Sequence, residues 1–141
     1  MQLQKSYLYD ALKGLDFQTL SPIQEKVIPK ALKGRDIIAA SETGTGKSHA
    51  FLLPVFDSLN ESDQKVQSVI LAPTRDLAGQ LLEMARTLAT YSDKEIDIRA
   101  YMGGKDRDRE IARLKKSQPQ IVIGTPGKVH DLTVKENVLK I

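Results

Sequence analysis

Cysteine is absent from this 141-residue sequence, and histidine occurs only at His49 and His130. Without thiols there are no disulfides and no cysteine nucleophile, and two histidines far apart in sequence leave zinc chemistry without a ligand set. No apolar run approaches the length needed to cross a bilayer, and the opening residues Met-Gln-Leu-Gln-Lys lack the pattern of a secretory leader. The expectation is a cytoplasmic protein with no membrane partner. Aromatic residues are scarce, at 5%.

The length corresponds to one domain that buries roughly two thirds of its unfolded surface. A net charge of +3 and a sequence pI near 9.1 permit a nucleic-acid partner without requiring one. Arg107, Arg109, Arg113, Lys115 and Lys116 cluster, but Asp106, Asp108 and Glu110 interleave with them. That stretch reads equally as a solvated helix face and as a nucleic-acid patch.

The most informative segment is Ala39 to Phe51, AASETGTGKSHAF. It follows the short β-branched run 36–40, which reads as a buried strand, and precedes apolar residues at helical spacing, Ala50, Leu53, Phe56 and Leu59. Pro54 must lie near the first turns of that helix or kink it. A strand, a glycine-rich loop and a helix together form a phosphate cradle. Glycines let successive backbone N–H groups face anionic oxygens, and the helix N-terminus adds partial positive charge. Thr43, Gly44, Thr45 and Gly46 supply the loop, Lys47 reaches the β and γ phosphates, and Ser48 offers its hydroxyl to magnesium. Only the first position of the strict phosphate-loop pattern departs, being Ser41.

The remaining chain alternates in the same way. Helices are expected at 7–13 and 22–32, the latter capped by Ser21 with Pro22 in its first position. Strands are expected at 67–72, 96–101 and 120–124, with helices after Pro73 and over 105–116. Continuous apolar strands between helices indicate an α/β fold, a parallel sheet with helices on both faces. In such sheets ligands gather at the carboxyl ends of the strands, where the loops 43–48, 73–76, 103–104 and 125–128 all fall.

These loops resemble, in order and spacing, the motifs of the DEAD-box RNA helicases. FQTLSPIQ from Phe17 to Gln24 is similar to their glutamine motif, SETGTGKS to motif I, PTRDLAGQ to motif Ia, Gly103-Gly104 to the glycine pair and TPGK to motif Ib. The resemblance implies a RecA-like, P-loop NTPase fold that uses ATP and magnesium. It implies that Gln24 reads adenine through its amide and that Phe17 stacks on the base. It further implies that Pro73, Thr74, Arg75, Gly103, Gly104, Thr125, Pro126 and Gly127 hold the RNA backbone, without regard to base sequence. Lys47 would be the catalytic cation of the phosphate site, Ser48 the metal ligand.

Several positions depart from the family pattern. Ser41 replaces alanine, Leu20 proline, Ser21 threonine, Asp76 glutamate and Lys128 arginine, and the last loses the planar fork of a guanidinium. The family's aromatic residue upstream of the glutamine motif would fall before Met1. The acidic D-E-A-D sequence, which would hold magnesium and position the attacking water, does not occur, nor does S-A-T or the second RecA-like domain. The chain therefore reads as the partial first RecA-like domain, 1–141, incomplete at its C-terminal end. Its expected partners are RNA and the C-terminal half of the helicase. The strands that would sit beside the phosphate-loop strand are not in the sequence, so rearrangement or self-association is the expected way to close the gap. Two other readings stand beside this one: a non-catalytic module binding adenine nucleotide or RNA, and a fragment of a superfamily 2 DNA translocase.

Overall fold

A computed structural model describes residues 3–42 and 46–141. The chain divides into two compact units, one formed by Met1–Leu59 with Thr90–Asp93, the other by Asn60–Ala89 with Lys94–Ile141.

The first unit carries helices α1 (Ser6–Gly14), α2 (Pro22–Leu32) and α3 (Lys47–Ser58). Each forms for a local reason. Leu8, Ala11 and Leu12 recur at the helical period and are buried in α1. In α2 the Ser21 hydroxyl accepts from the Gln24 backbone N–H, and the Gln24 side chain accepts from the Ser21 N–H, a reciprocal cap. Pro22 opens that helix at the position where its missing N–H costs nothing. α3 buries Leu52, Leu53 and Phe56 and packs against α2. Pro54 lies inside α3, buried, later than the first turns. The buried Asp57 carboxylate accepts from the backbone N–H groups of Gln4 and Lys5, at 2.8 and 3.0 Å, tying the segment before α1 to α3.

Residues 36–40 differ from expectation: they form no strand, and Ile38 is fully exposed. An extended segment becomes a strand only when a neighbour completes its hydrogen bonds. Among the described residues the sheet consists of three other strands, and none pairs with this run.

Those strands belong to the second unit: β1 (Ser68–Leu71), β2 (Ile98–Tyr101) and β3 (Ile121–Gly124), in the order β1-β3-β2 and all parallel. Central β3 is buried at all four positions, as its continuous apolar sequence requires. Helix α4 (Arg75–Ala89) packs on β2 and β3. α5 (Arg107–Lys116), α6 (Pro126–His130) and a π-helical turn over Asp131–Lys135 complete the unit. Its core gathers Tyr101, Leu114, Val122, Val129, Leu132, Val138 and Leu139. The predicted α/β architecture with a parallel sheet is thus the observed one, and the expected helix at 22–32 is observed with the same limits.

The unit is also held by a buried polar knot. Arg99 on β2 forms a fork with Asp97, at 2.9 and 2.8 Å, and its remaining donors reach the Ser117 carbonyl and hydroxyl at the end of α5. Burial pulls the guanidinium down, but the hydrogen bonds and charges of Asp97 and Tyr101 together more than offset it and hold it above its ordinary value. Nearby, the buried Gln120 amide accepts from Asp97 N–H and donates to the Glu61 and Asp63 carbonyls.

Candidate nucleotide and RNA site

Three candidate nucleotide residues, Thr43, Gly44 and Thr45, lie outside the described residues. Gly46, Lys47 and Ser48 form the entry to α3. Gly46 is the N-cap, with a left-handed backbone at φ 87° that favours glycine. Among the described residues no side chain caps this helix, and its first turn carries no acid. α2, α4 and α5, by contrast, are capped by Ser21, Thr74 and Asp106. The N–H groups at the start of α3 therefore keep their capacity for an anion.

The charged and polar side chains around this terminus are turned onto the protein itself. Lys47 donates from Nζ to the Ser41 carbonyl at 2.6 Å. Gln24 is buried; its Nε2 donates to the Gly46 carbonyl at 3.1 Å while its Oε1 serves the α2 cap. A Cβ on Gly46 would come within 2.3 Å of that Nε2, so the amide lies directly against the loop's last glycine. The glutamine motif and motif I are thus physically joined through one side chain.

Phe17 follows Asp16, whose φ is 62°, and its N–H bonds the Leu12 carbonyl at 2.8 Å. The half-buried ring lines a cavity of about 430 Å³ with Tyr9, Leu12, Lys13, Gln18, Thr19 and Leu20. Gln24 does not line that cavity. The ring meets His49 of α3 edge-on, centroids 5.0 Å apart and planes at 80°. Burial holds the His49 imidazole below its ordinary value, which keeps it neutral at neutral pH. His49 entered the sequence analysis only as an isolated histidine. Its signal was its place one residue beyond Ser48, on a helix whose neighbouring positions are buried.

The RNA candidates assemble on the second unit. Because the strands are parallel and Gly124 registers with both Leu71 and Tyr101, the loops leaving β1, β3 and β2 open on one rim. Pro73 and Thr74, Gly103 and Gly104, and Thr125 to Gly127 all occupy it. The Thr74 hydroxyl caps α4 by accepting from Leu77 N–H at 3.2 Å. Arg75 is exposed and leans across the rim: a Cβ on Gly104 would stand 3.4 Å from its Nη2. Gly104 has φ 90°, so its backbone demands glycine. Gly103 and Gly127 are different, because among the described residues a Cβ built on either meets no atom within 4 Å beyond its own local chain. Internal packing gives no reason for glycine at either position.

Two basic residues near the rim are committed elsewhere. Lys128 forms a largely buried ion pair with Glu110 of α5, at 2.9 Å, and so fastens α6 to α5. Arg107 pairs with Asp131 and Glu136, holding α5 to the π-helical turn. Arg109, Arg113, Lys115 and Lys116 remain exposed, which leaves both readings of the basic stretch in place.

Residues 21–140 match the DEAD/DEAH box helicase family, and the chain belongs to it. It is 46% identical over 129 residues to the DEAD-box ATP-dependent RNA helicase CshB of Listeria monocytogenes, covering 92% of this chain and 29% of that protein. Against CshB of Bacillus cereus the identity is 45% over 137 residues, covering 96% and 31%. Among solved structures, a DEAD box protein from Methanococcus jannaschii superposes with a TM-score of 0.86 at 32% identity, covering 96% of this chain and 36% of that one. S. cerevisiae Dbp5 bound to RNA and ADP BeF3 gives 0.83 at 30% identity, covering 97% and 34%. The chain spans about a third of the length of these relatives. Among the described residues no helix is long and apolar enough to cross a membrane.

Proposed function

We propose that this chain is the ATP-binding portion of a cytoplasmic RNA helicase that, as a complete protein, couples ATP hydrolysis to unwinding or remodelling of RNA. The observation that carries the reading is the single rim on which the P-T-R, glycine-pair and T-P-G loops stand together. That rim offers N–H groups, hydroxyls and the exposed Arg75 guanidinium, the chemistry of phosphate and sugar contact rather than base reading. Neutralising about three phosphates there gives a log–log salt slope near −2 for a single strand.

For the nucleotide, the open N–H groups at the start of α3 take phosphate oxygens and Lys47 exchanges the Ser41 carbonyl for them. Gln24 exchanges the Gly46 carbonyl for adenine, and Phe17 takes the base face. The loop residues Thr43, Gly44 and Thr45 belong to the same cradle. Magnesium prefers hard oxygen ligands and keeps several waters, so the Ser48 hydroxyl fits it as one ligand. The ion supplies charge neutralisation across the phosphates. Among the described residues no cluster of three His, Cys, Asp or Glu side chains could hold a metal alone. With no D-E-A-D sequence to position water, the 141-residue chain binds nucleotide weakly and hydrolyses it inefficiently.

The test is equilibrium titration of the chain with a fluorescent adenine nucleotide and magnesium, with ATP and GTP as competitors. ATP should compete better than GTP, Lys47→Ala should lose binding, and Gln24→Ala should narrow the ATP to GTP ratio. Unchanged affinity in Lys47→Ala would remove the phosphate-site assignment. Binding that ignores the base in the unaltered chain would remove Gln24 and Phe17 from recognition.

A further inference from the structure

Phe17 is held at its backbone by the turn that ends α1, yet its ring is half-exposed beside a cavity. A ring in that setting can turn, and a turned ring presents no fixed face to a base. What limits it is His49, whose imidazole meets the ring at 80° and 5.0 Å, the edge-to-face arrangement that aromatic quadrupoles favour. His49 makes no hydrogen bond among the described residues, although it is buried. Its ring nitrogens are not fully enclosed, so the ring contact with Phe17, and not an unsatisfied nitrogen, marks the residue. Its place in the chain is also informative. His49 stands in the first turn of α3, directly after Lys47 and Ser48. The helix that receives the phosphates is therefore the helix that braces the base platform.

We propose that His49 is a positioning residue for adenine recognition: it fixes the Phe17 ring and couples the base subsite to the phosphate end of α3 without itself touching nucleotide. The inference rests on the nucleotide site proposed above, and it adds a residue and a mode of action to it.

The experiment compares two probes on the 141-residue chain with magnesium, ADP and inorganic tripolyphosphate, each competing with a fluorescent adenine nucleotide. His49→Ala should weaken ADP by about threefold to tenfold, the range of one aromatic pair, and leave tripolyphosphate unchanged. His49→Phe restores a ring edge and should recover ADP affinity. The double variant Phe17→Ala with His49→Ala should bind ADP no more weakly than Phe17→Ala alone, because the brace has nothing left to hold. Equal ADP affinity in His49→Ala and the unaltered chain overturns the proposal. So does a parallel loss of ADP and tripolyphosphate, which would make His49 a structural residue of the phosphate end. If the unaltered chain binds neither probe, the nucleotide site itself fails and this inference with it, an outcome distinct from a failure confined to the His49 variants.

Discussion

The two units hold their candidate groups in opposite states. In the unit of α1, α2 and α3, Gln24 is spent on the Ser21 N–H and the Gly46 carbonyl, and Lys47 on the Ser41 carbonyl. In the unit with the sheet, Gly103, Gly127 and Arg75 stand open at the rim. On the proposed function, nucleotide binding would exchange internal hydrogen bonds for ligand ones, and only the difference would appear as affinity. The proposed RNA contact would need no such exchange, because the parallel register has already placed the loops. A ligand that has to displace protein contacts can report its arrival through them; one that lands on a preformed rim cannot.

The contrast breaks most severely if the sheet unit loses its polar knot. Arg99 is 5% exposed and Asp97 is 22% exposed. Arg99→Met removes the guanidinium from the Ser117 carbonyl and hydroxyl and from the Asp97 carboxylate, which keeps the Gln64 amide as a neutral donor. Removing one partner of a buried pair costs about 3–5 kcal/mol, and the partial solvation of Asp97 places this case near the lower end, about 3 kcal/mol. Chemical denaturation followed by amide hydrogen exchange should show β2 and β3 losing protection while α1 keeps its own. Equal loss in both units would mean that they unfold as one.

A finer test contrasts two glycines on the same rim. Gly104 sits at φ 90°, and alanine there costs about 1–2 kcal/mol. Gly127 has open space around it and no positive φ, so Gly127→Ala should leave the melting temperature within about 1 °C. If Gly127 is glycine because RNA approaches its backbone closely, the same substitution should weaken RNA binding severalfold. Filter binding with a short unstructured RNA separates the effects: unchanged affinity in Gly127→Ala would make that loop a bystander.

Much of this was legible in the sequence because the signals are local. Ser21 as cap with Pro22 in the first position writes the start of α2, and 120–124 reads as a buried strand because it is a short apolar run between helices. The run 36–40 was misread for the opposite reason. Its β-branched residues express a preference, but a strand exists only where a neighbour pairs with it. The brace between His49 and Phe17 and the Lys128–Glu110 pair join residues 32 and 18 positions apart. No periodicity links such positions; the fold brings them together.

The smallest expected effect also separates the units, through pH. Burial depresses His49 below its ordinary value of 6.5, so the unfolded chain binds a proton at a pH where the folded chain does not. Stability of the α3 region is therefore full above that ordinary value and declines as pH falls below it. The sheet unit has linkage of the same sign but in a lower pH window. The Arg107 side chain holds Asp131 below its ordinary 3.8, so that contribution persists above 3.8 and is lost only as pH falls further, through the native value. Between pH 7 and pH 5, amide exchange corrected for intrinsic rates should accelerate in α3 and hold steady in β3, by less than either substitution above produces. His49→Phe should abolish the α3 response, since a phenyl ring carries no proton to exchange. If α3 responds equally in that variant, a different group senses pH there, and the buried neutral imidazole is not what distinguishes the unit of α1, α2 and α3 from the sheet.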